Sequence, residues 1–262
     1  MTMLPQNIFS KTLYQKRKFI FGWFLGLTAM TILTLSFFPS FKNGEIGKTF
    51  SDLSPALQKV VGNTDSFRTV GGYIGQQIFA LRIPLLATVL SIVLFNGLTV
   101  GEERKGLLET QLSLPLKRST ILLQKLLAGI TIMAVASIGV FVGIWVTLLF
   151  IHEHYSYLTI WREILGAVLV SLDFGLIAFM FGSALGKKSI AVGVASGFAF
   201  LSYLISSLVT AVPSLKDIEK LSLFHYQSPA IISLRDSLVL AIVGLVFVLV
   251  SFLMFQRRDI GT

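Results

Sequence analysis

Residues 83–125 read IPLLATVLSIVLFNGLTV and then GEERKGLLETQLSLPLKRSTILLQK. The first eighteen residues carry no charge, and the twenty-five that follow carry eight. An uncharged apolar run of that length is enough, as a helix, to cross a hydrocarbon core of about 30 Å. The stretch therefore predicts a membrane span, a charged connector at the membrane surface, and the start of a returning span.

Five further apolar runs flank this pair. With it they place spans at 19–38, 83–100, 126–150, 164–185, 190–212 and 238–255. The runs are apolar on every face, so helices rather than the alternating strands of a barrel are expected. Composition agrees. Of 262 residues 54% are hydrophobic and 13% charged, and 22 are Phe; the mean hydropathy is +0.79. A soluble domain carries about 25% charged residues, so a water-soluble globule is ruled out. The chain has no Cys, which excludes disulfides, Cys-ligated zinc, iron–sulfur clusters and thiol catalysis.

The net charge of +9 is a topology signal rather than a nucleic-acid signal. Residues 1–18 carry Lys11, Lys16, Arg17 and Lys18 and no acid. Residues 101–125 carry Arg104, Lys105, Lys117, Arg118 and Lys125. Lys187 and Lys188 occupy a short turn, and Arg257 and Arg258 the tail. With six spans these four segments fall on one side, which predicts both termini in the cytoplasm. Trp145, Tyr155, Tyr157 and Trp161 flank the opposite ends of the third and fourth spans, as an aromatic belt does. The first run ends at Phe38-Pro39-Ser40 without a small-x-small site, so it reads as a retained anchor rather than a cleaved signal.

The segments between spans carry the remaining expectations. Residues 4–18 read as an amphipathic elbow helix on the inner leaflet. The outer loop 39–72 contains a short amphipathic helix near 51–61 and then a Gly71-Gly72 break. Gln76, Gln77 and Arg82 are too polar for lipid contact. In the connector 101–120, Glu102 and Glu103 occupy a helix first turn, where carboxylates suit the positive dipole end. Arg104, Leu108 and Leu112 follow at i, i+4 and i+8, and Pro115 stops the helix. The segment between spans five and six, with Leu221, Leu223, Phe224 and Tyr226, is too apolar for a free loop. It predicts re-entrant backbone buried by protein. Gly22/Gly26, Gly182/Gly186 and Gly193/Gly197 are small-xxx-small pairs suited to close helix packing.

Catalytic chemistry finds no foothold. Residues 182–189, GSALGKKS, have three residues between the glycines where a phosphate loop needs four, and Lys188 stands where Ser or Thr is required. A rhomboid-type protease needs Gly-x-Ser-Gly, which is absent. A prenyl-protein protease signature, Glu-Glu-x-x-x-Arg, fails at Leu107. His152-Glu153-His154 reads as interfacial polarity, since i and i+2 point to different helix faces. Asp173 is the only acid set deep within a run. Charge there costs roughly 2.5–3.5 kcal/mol on insertion scales, so it must face protein or water. It either lines a substrate path or pairs with Arg82.

The 101–125 stretch resembles the signature of ABC type-2 transporter permeases, the membrane subunits of ATP-binding-cassette exporters. The matching positions are Glu102, Glu103, Arg104, Gly106, Leu108, Glu109, Leu112, Pro115, Arg118, Ile121 and Lys125, and Phe255-Gln-Arg257-Arg258-Asp259 is similar to the family's ending. Leu107, Thr110 and Gln111 depart from the pattern. The resemblance implies a single all-α permease domain over 1–262. Its cytoplasmic coupling helix would meet a separate ATPase subunit through Glu102, Glu103, Arg104, Gly106, Leu108, Glu109 and Leu112. It also implies two ATPases, a second permease of the same or a homologous kind, and a bacterial or archaeal plasma membrane. ATP and magnesium would bind only in the ATPase. The cargo would be hydrophobic or amphipathic, as in drug exporters. The competing readings are an intramembrane enzyme, a partner-free channel, or a membrane scaffold.

Overall fold

A computed structural model describes residues 7–42, 67–104, 106–107, 116–211, 216–227 and 233–258. Among them there is no strand. The elements in chain order are α1 (Ile8–Ser36), α2 (Phe38–Lys42), α3 (Val70–Tyr73), a π-helical stretch (Ile74–Arg82), α4 (Ile83–Leu98), α5 (Val100–Glu103), α6 (Arg118–Ile151), α7 (Tyr157–Leu185), α8 (Lys188–Ala211), α9 (Lys216–Glu219), a 3₁₀ turn (Leu223–Tyr226) and α10 (Leu234–Arg257). Six helical segments are long and apolar enough to cross a membrane, and they overlap the six expected spans.

Each helical segment begins before its apolar run. α6 has 34 residues, roughly 51 Å at about 1.5 Å per residue, so its basic first turns extend past a core of about 30 Å. α1 likewise joins residues 8–18 to the first span in one helix. The elbow is thus continuous with the span rather than a separate element, and residues 4–6 of it lie outside the described residues. Asn7 caps α1 by accepting from the Ser10 amide at 2.8 Å.

The centre of the bundle is α4 against α7. Phe95 and Phe179 meet edge-on there, with centroids 5.7 Å apart. α8 and α10 cover one side of α7, while α6 and α1 close the other side of the bundle. α1 and α6 run parallel. The Phe9 amide donates to Gln124 Oε1 at 3.3 Å, and Thr28 Oγ1 donates to the Gly139 carbonyl at 2.9 Å. A methyl placed on Gly139 would lie 2.6 Å from the Phe24 carbonyl oxygen, and one on Gly143 would lie 2.8 Å from that of Thr28. Gly139-x-x-x-Gly143 is therefore the small-residue contact on which this pair depends. The sequence pattern points to other glycines. Gly22, Gly26, Gly193 and Gly197 have nothing within 4 Å of the position a methyl would take, so those positions make no close contact within the described residues.

The second span starts thirteen residues before its apolar run, at Val70. Gly71-Gly72 do not break the chain; they form the first turn of α3. Thr69 caps that turn by accepting from the Gly72 amide at 3.2 Å. A methyl on Gly71 would meet the Tyr155 ring at 2.7 Å, so the glycine is there for close packing. The helix then widens to the π pattern, in which the Ile83 amide bonds back to Ile78. Pro84 has no amide, and the carbonyl five residues earlier, that of Phe79, takes its hydrogen bond from Gln227 Nε2 at 2.9 Å instead. Arg82 Nη1 donates to both the carbonyl and the side chain of Gln77. The polar residues thus serve the widened backbone.

The expected re-entrant segment returns into the bundle. Leu223 is buried, and Phe224 packs against Phe174, midway along α7, at 5.2 Å. Ser222 Oγ donates to the Ser202 carbonyl at 2.7 Å and accepts from the Phe224 amide at 3.2 Å. One end of the bundle is closed by Phe38, Phe41, Phe67 and Tyr73, with Tyr73 donating to the Thr34 carbonyl at 2.9 Å. The 51–61 helix lies outside the described residues.

Glycine substitutions separate these contacts. Gly143→Val is expected to force α1 from α6 and to lower the thermal transition of the detergent-solubilised chain by several degrees. Gly22→Ala is expected to leave it unchanged or slightly raised, given a helix preference of up to about 1 kcal/mol for Ala over Gly.

Candidate functional site

The basic segments gather at one end of the bundle. A methyl on Gly97 would lie 3.2 Å from Lys16 Nζ, and α5, the start of α6, the end of α7 and the end of α10 meet beside it. The α4–α5 junction is a backbone break at Thr99, whose φ and ψ are −105° and −90°. Thr99 Oγ1 donates to the Phe95 carbonyl at 3.1 Å, and Gly182 of α7 leaves room for it, since a methyl there would collide with that oxygen. The break turns α5 so that its two carboxylates point into the bundle.

Glu102 and Lys125 form an ion pair at 2.9 Å, with their side chains 7% and 2% exposed. Glu103 accepts a two-pronged bond from the Arg258 guanidinium, Nη1 to Oε2 at 3.1 Å and Nη2 to Oε1. Such a fork fixes orientation as well as charge. Arg258 Nη1 also donates to the Ser183 carbonyl at 3.2 Å, and Arg118 Nη1 donates to the Arg258 carbonyl at 2.7 Å. Gly186 ends α7 at φ +64°, and a methyl there would overlap the Arg258 guanidinium. Only glycine meets both demands. One cluster of charges therefore ties α5 to α6, α7 and α10.

The resemblance implies Glu102 and Glu103 facing a partner; within the chain Glu102 is paired with Lys125 and Glu103 with Arg258. The sequence spacing also predicts one helix through Arg104, Leu108 and Leu112. α5 stops at Glu103, and Gly106 takes a left-handed φ of +68°, because glycine can leave the helical region there without steric cost. Arg104 is exposed, and Leu108, Glu109, Leu112 and Pro115 lie outside the described residues.

Asp173 and Arg82 are not brought together. Arg82 is held by Gln77, whereas Asp173 is 2% exposed, with Oδ2 unpartnered and Oδ1 against the Gly244 backbone of α10. Glu163 is a second buried carboxylate, 5% exposed and held by Tyr155 at 3.3 Å. The sequence pattern leaves it outside the fourth span because α7 starts seven residues before its apolar run. Burial, with the Glu163 carboxylate beside it, pushes the Tyr155 phenol above its ordinary pKa. His152 takes φ 53° as the cap of α6, and Glu153 pairs with Lys42. Among the described residues no three metal-ligating side chains converge.

Six apolar helices with such an end define a multi-pass membrane protein. The sequence matches the family model of the ABC-2 family transporter proteins over residues 6–260, and the chain belongs to that family. It is a membrane permease subunit of an ABC transporter, a class that is the transport component without catalytic activity of its own and that works with an ABC ATPase subunit. No curated protein matches the sequence.

The buried pair gives a specific expectation. Lys125→Met strands the Glu102 carboxylate and is expected to cost about 3–5 kcal/mol. Glu102→Gln combined with Lys125→Met should recover most of that loss. Thermal unfolding of the two purified variants measures the difference.

Proposed function

We propose that this permease exports a hydrophobic or amphipathic cargo and that the segment 101–120 receives the motion of the ATPase. Two ATPase subunits, holding ATP and magnesium, would serve two permeases of the same or a homologous kind. Both termini would lie in the cytoplasm of a bacterial or archaeal cell, with the chain in the plasma membrane. The convergence of Lys16, Arg104, Arg118, Lys187 and Arg258 at one end supports that orientation.

One observation carries the coupling assignment. The two carboxylates of α5 hold Lys125 of α6 and Arg258 at the end of α10, and Arg258 in turn bonds to the Ser183 carbonyl of α7, so force applied to the segment that follows reaches α6, α10 and, through Arg258, α7. Loop contacts alone would dissipate it. In this arrangement Glu102 and Glu103 are positioning residues, and the ATPase contact falls to Arg104, Gly106 and the leucines beyond.

Co-purification with the ATPase tests this. Leu108→Asp with Leu112→Asp is expected to reduce ATPase recovery at least tenfold while the permease stays folded by its thermal transition. Full recovery of the ATPase would sink the assignment. ATP-independent flux through the chain reconstituted alone would favour a channel instead.

A further inference from the structure

A cleft of about 600 Å³ opens between the end of α5 and the α7–α8 turn, lined by Arg104, Gly186, Lys187, Lys188, Ser189 and Val192. Arg104, Lys187, Lys188 and Ser189 are exposed. Among the described residues no carboxylate lines it, and none of its three cations makes an ion pair. The neighbouring acid, Glu103, is already occupied by Arg258. The first amides of α8 also face this end without intrahelical partners.

The cleft continues onto an apolar surface. Ala191, Ala195 and Ala199 turn one face of α8 into the bundle, while Ile190, Val194 and Leu201 are exposed on the other. Gly193 adds no side chain between the two regions, and nothing lies within 4 Å of a methyl placed on it. A ligand filling this site needs a negative head and an apolar body that runs along α8.

We infer that the cleft binds the phosphate of an anionic phospholipid, with the acyl chains lying along Ile190, Val194 and Leu201. Basic pockets between spans at the cytoplasmic side are suited to such headgroups. A free anion would satisfy the three cations but not the apolar stripe. Lys187 and Lys188 take no part in the inward-facing charge cluster, whereas Arg104 is shared with the proposed ATPase contact.

Lipid titration of the purified full-length chain, read by native mass spectrometry, tests the site. Dioleoyl phosphatidylglycerol should be retained in preference to dioleoyl phosphatidylcholine. Each of Arg104→Gln, Lys187→Gln and Lys188→Gln should lower phosphatidylglycerol affinity about fivefold, leaving phosphatidylcholine unchanged. Lys187→Arg with Lys188→Arg should keep the preference, which guards against a misfolded variant. An equal loss on replacing Lys11, Arg17 and Lys18 by Gln would mean a diffuse surface potential and overturn the site. So would displacement by glycerol phosphate at equal concentration, which would mark a free-anion site. Absence of the preference in the wild-type chain would overturn it as well.

Discussion

Lys125 carries its ammonium to a position where only 2% of the side chain is exposed, and Glu102 makes that position tenable. Taking either charge out of water alone costs several kcal/mol, and the pair offsets this only while its geometry is held. The geometry is held by the Thr99 break, which turns α5 back toward α6, and by Gly182, which lets α7 approach Thr99. Glu103 and Arg258 then extend the same cluster to the last helix. The apolar helices above cannot separate at this end without exposing or unpairing a charge.

The two ends of the bundle are built from different chemistry. The end opposite the basic cluster is closed by aromatic rings and by a short segment whose Gln227 supplies the bond that Pro84 cannot make. The basic end is closed by ion pairs that depend on geometry. Apolar packing tolerates small slips, whereas a forked guanidinium–carboxylate contact has few alternatives.

The six spans were legible because length and the absence of charge decide them. Their limits were not, because helices run on through polar residues once neighbours satisfy them, as at Gln77 with Arg82 and at Glu163 with Tyr155. The family was legible in the connector and the tail, yet the contact between them was hidden: Glu103 and Arg258 are 155 residues apart. Glycines misled in both directions. Gly22/Gly26 has the spacing of a packing pair, yet nothing lies within 4 Å of a methyl placed on either, while Gly139/Gly143 carries the α1–α6 contact. Spacing shows that close approach is possible, and only the three-dimensional neighbour shows that it occurs.

In the proposed coupling, α5 and the end of α10 act as one unit in transmitting the ATPase stroke. ATP turnover of the reconstituted permease–ATPase complex, compared for Glu103→Gln, Arg258→Gln and the double variant at matched ATPase content, tests it without knowledge of the cargo. Each single change is expected to lower turnover several-fold, with the double variant no worse than either, since partners in one contact are not additive. Independent, multiplying losses, or single variants that turn over ATP like the parent, would contradict it.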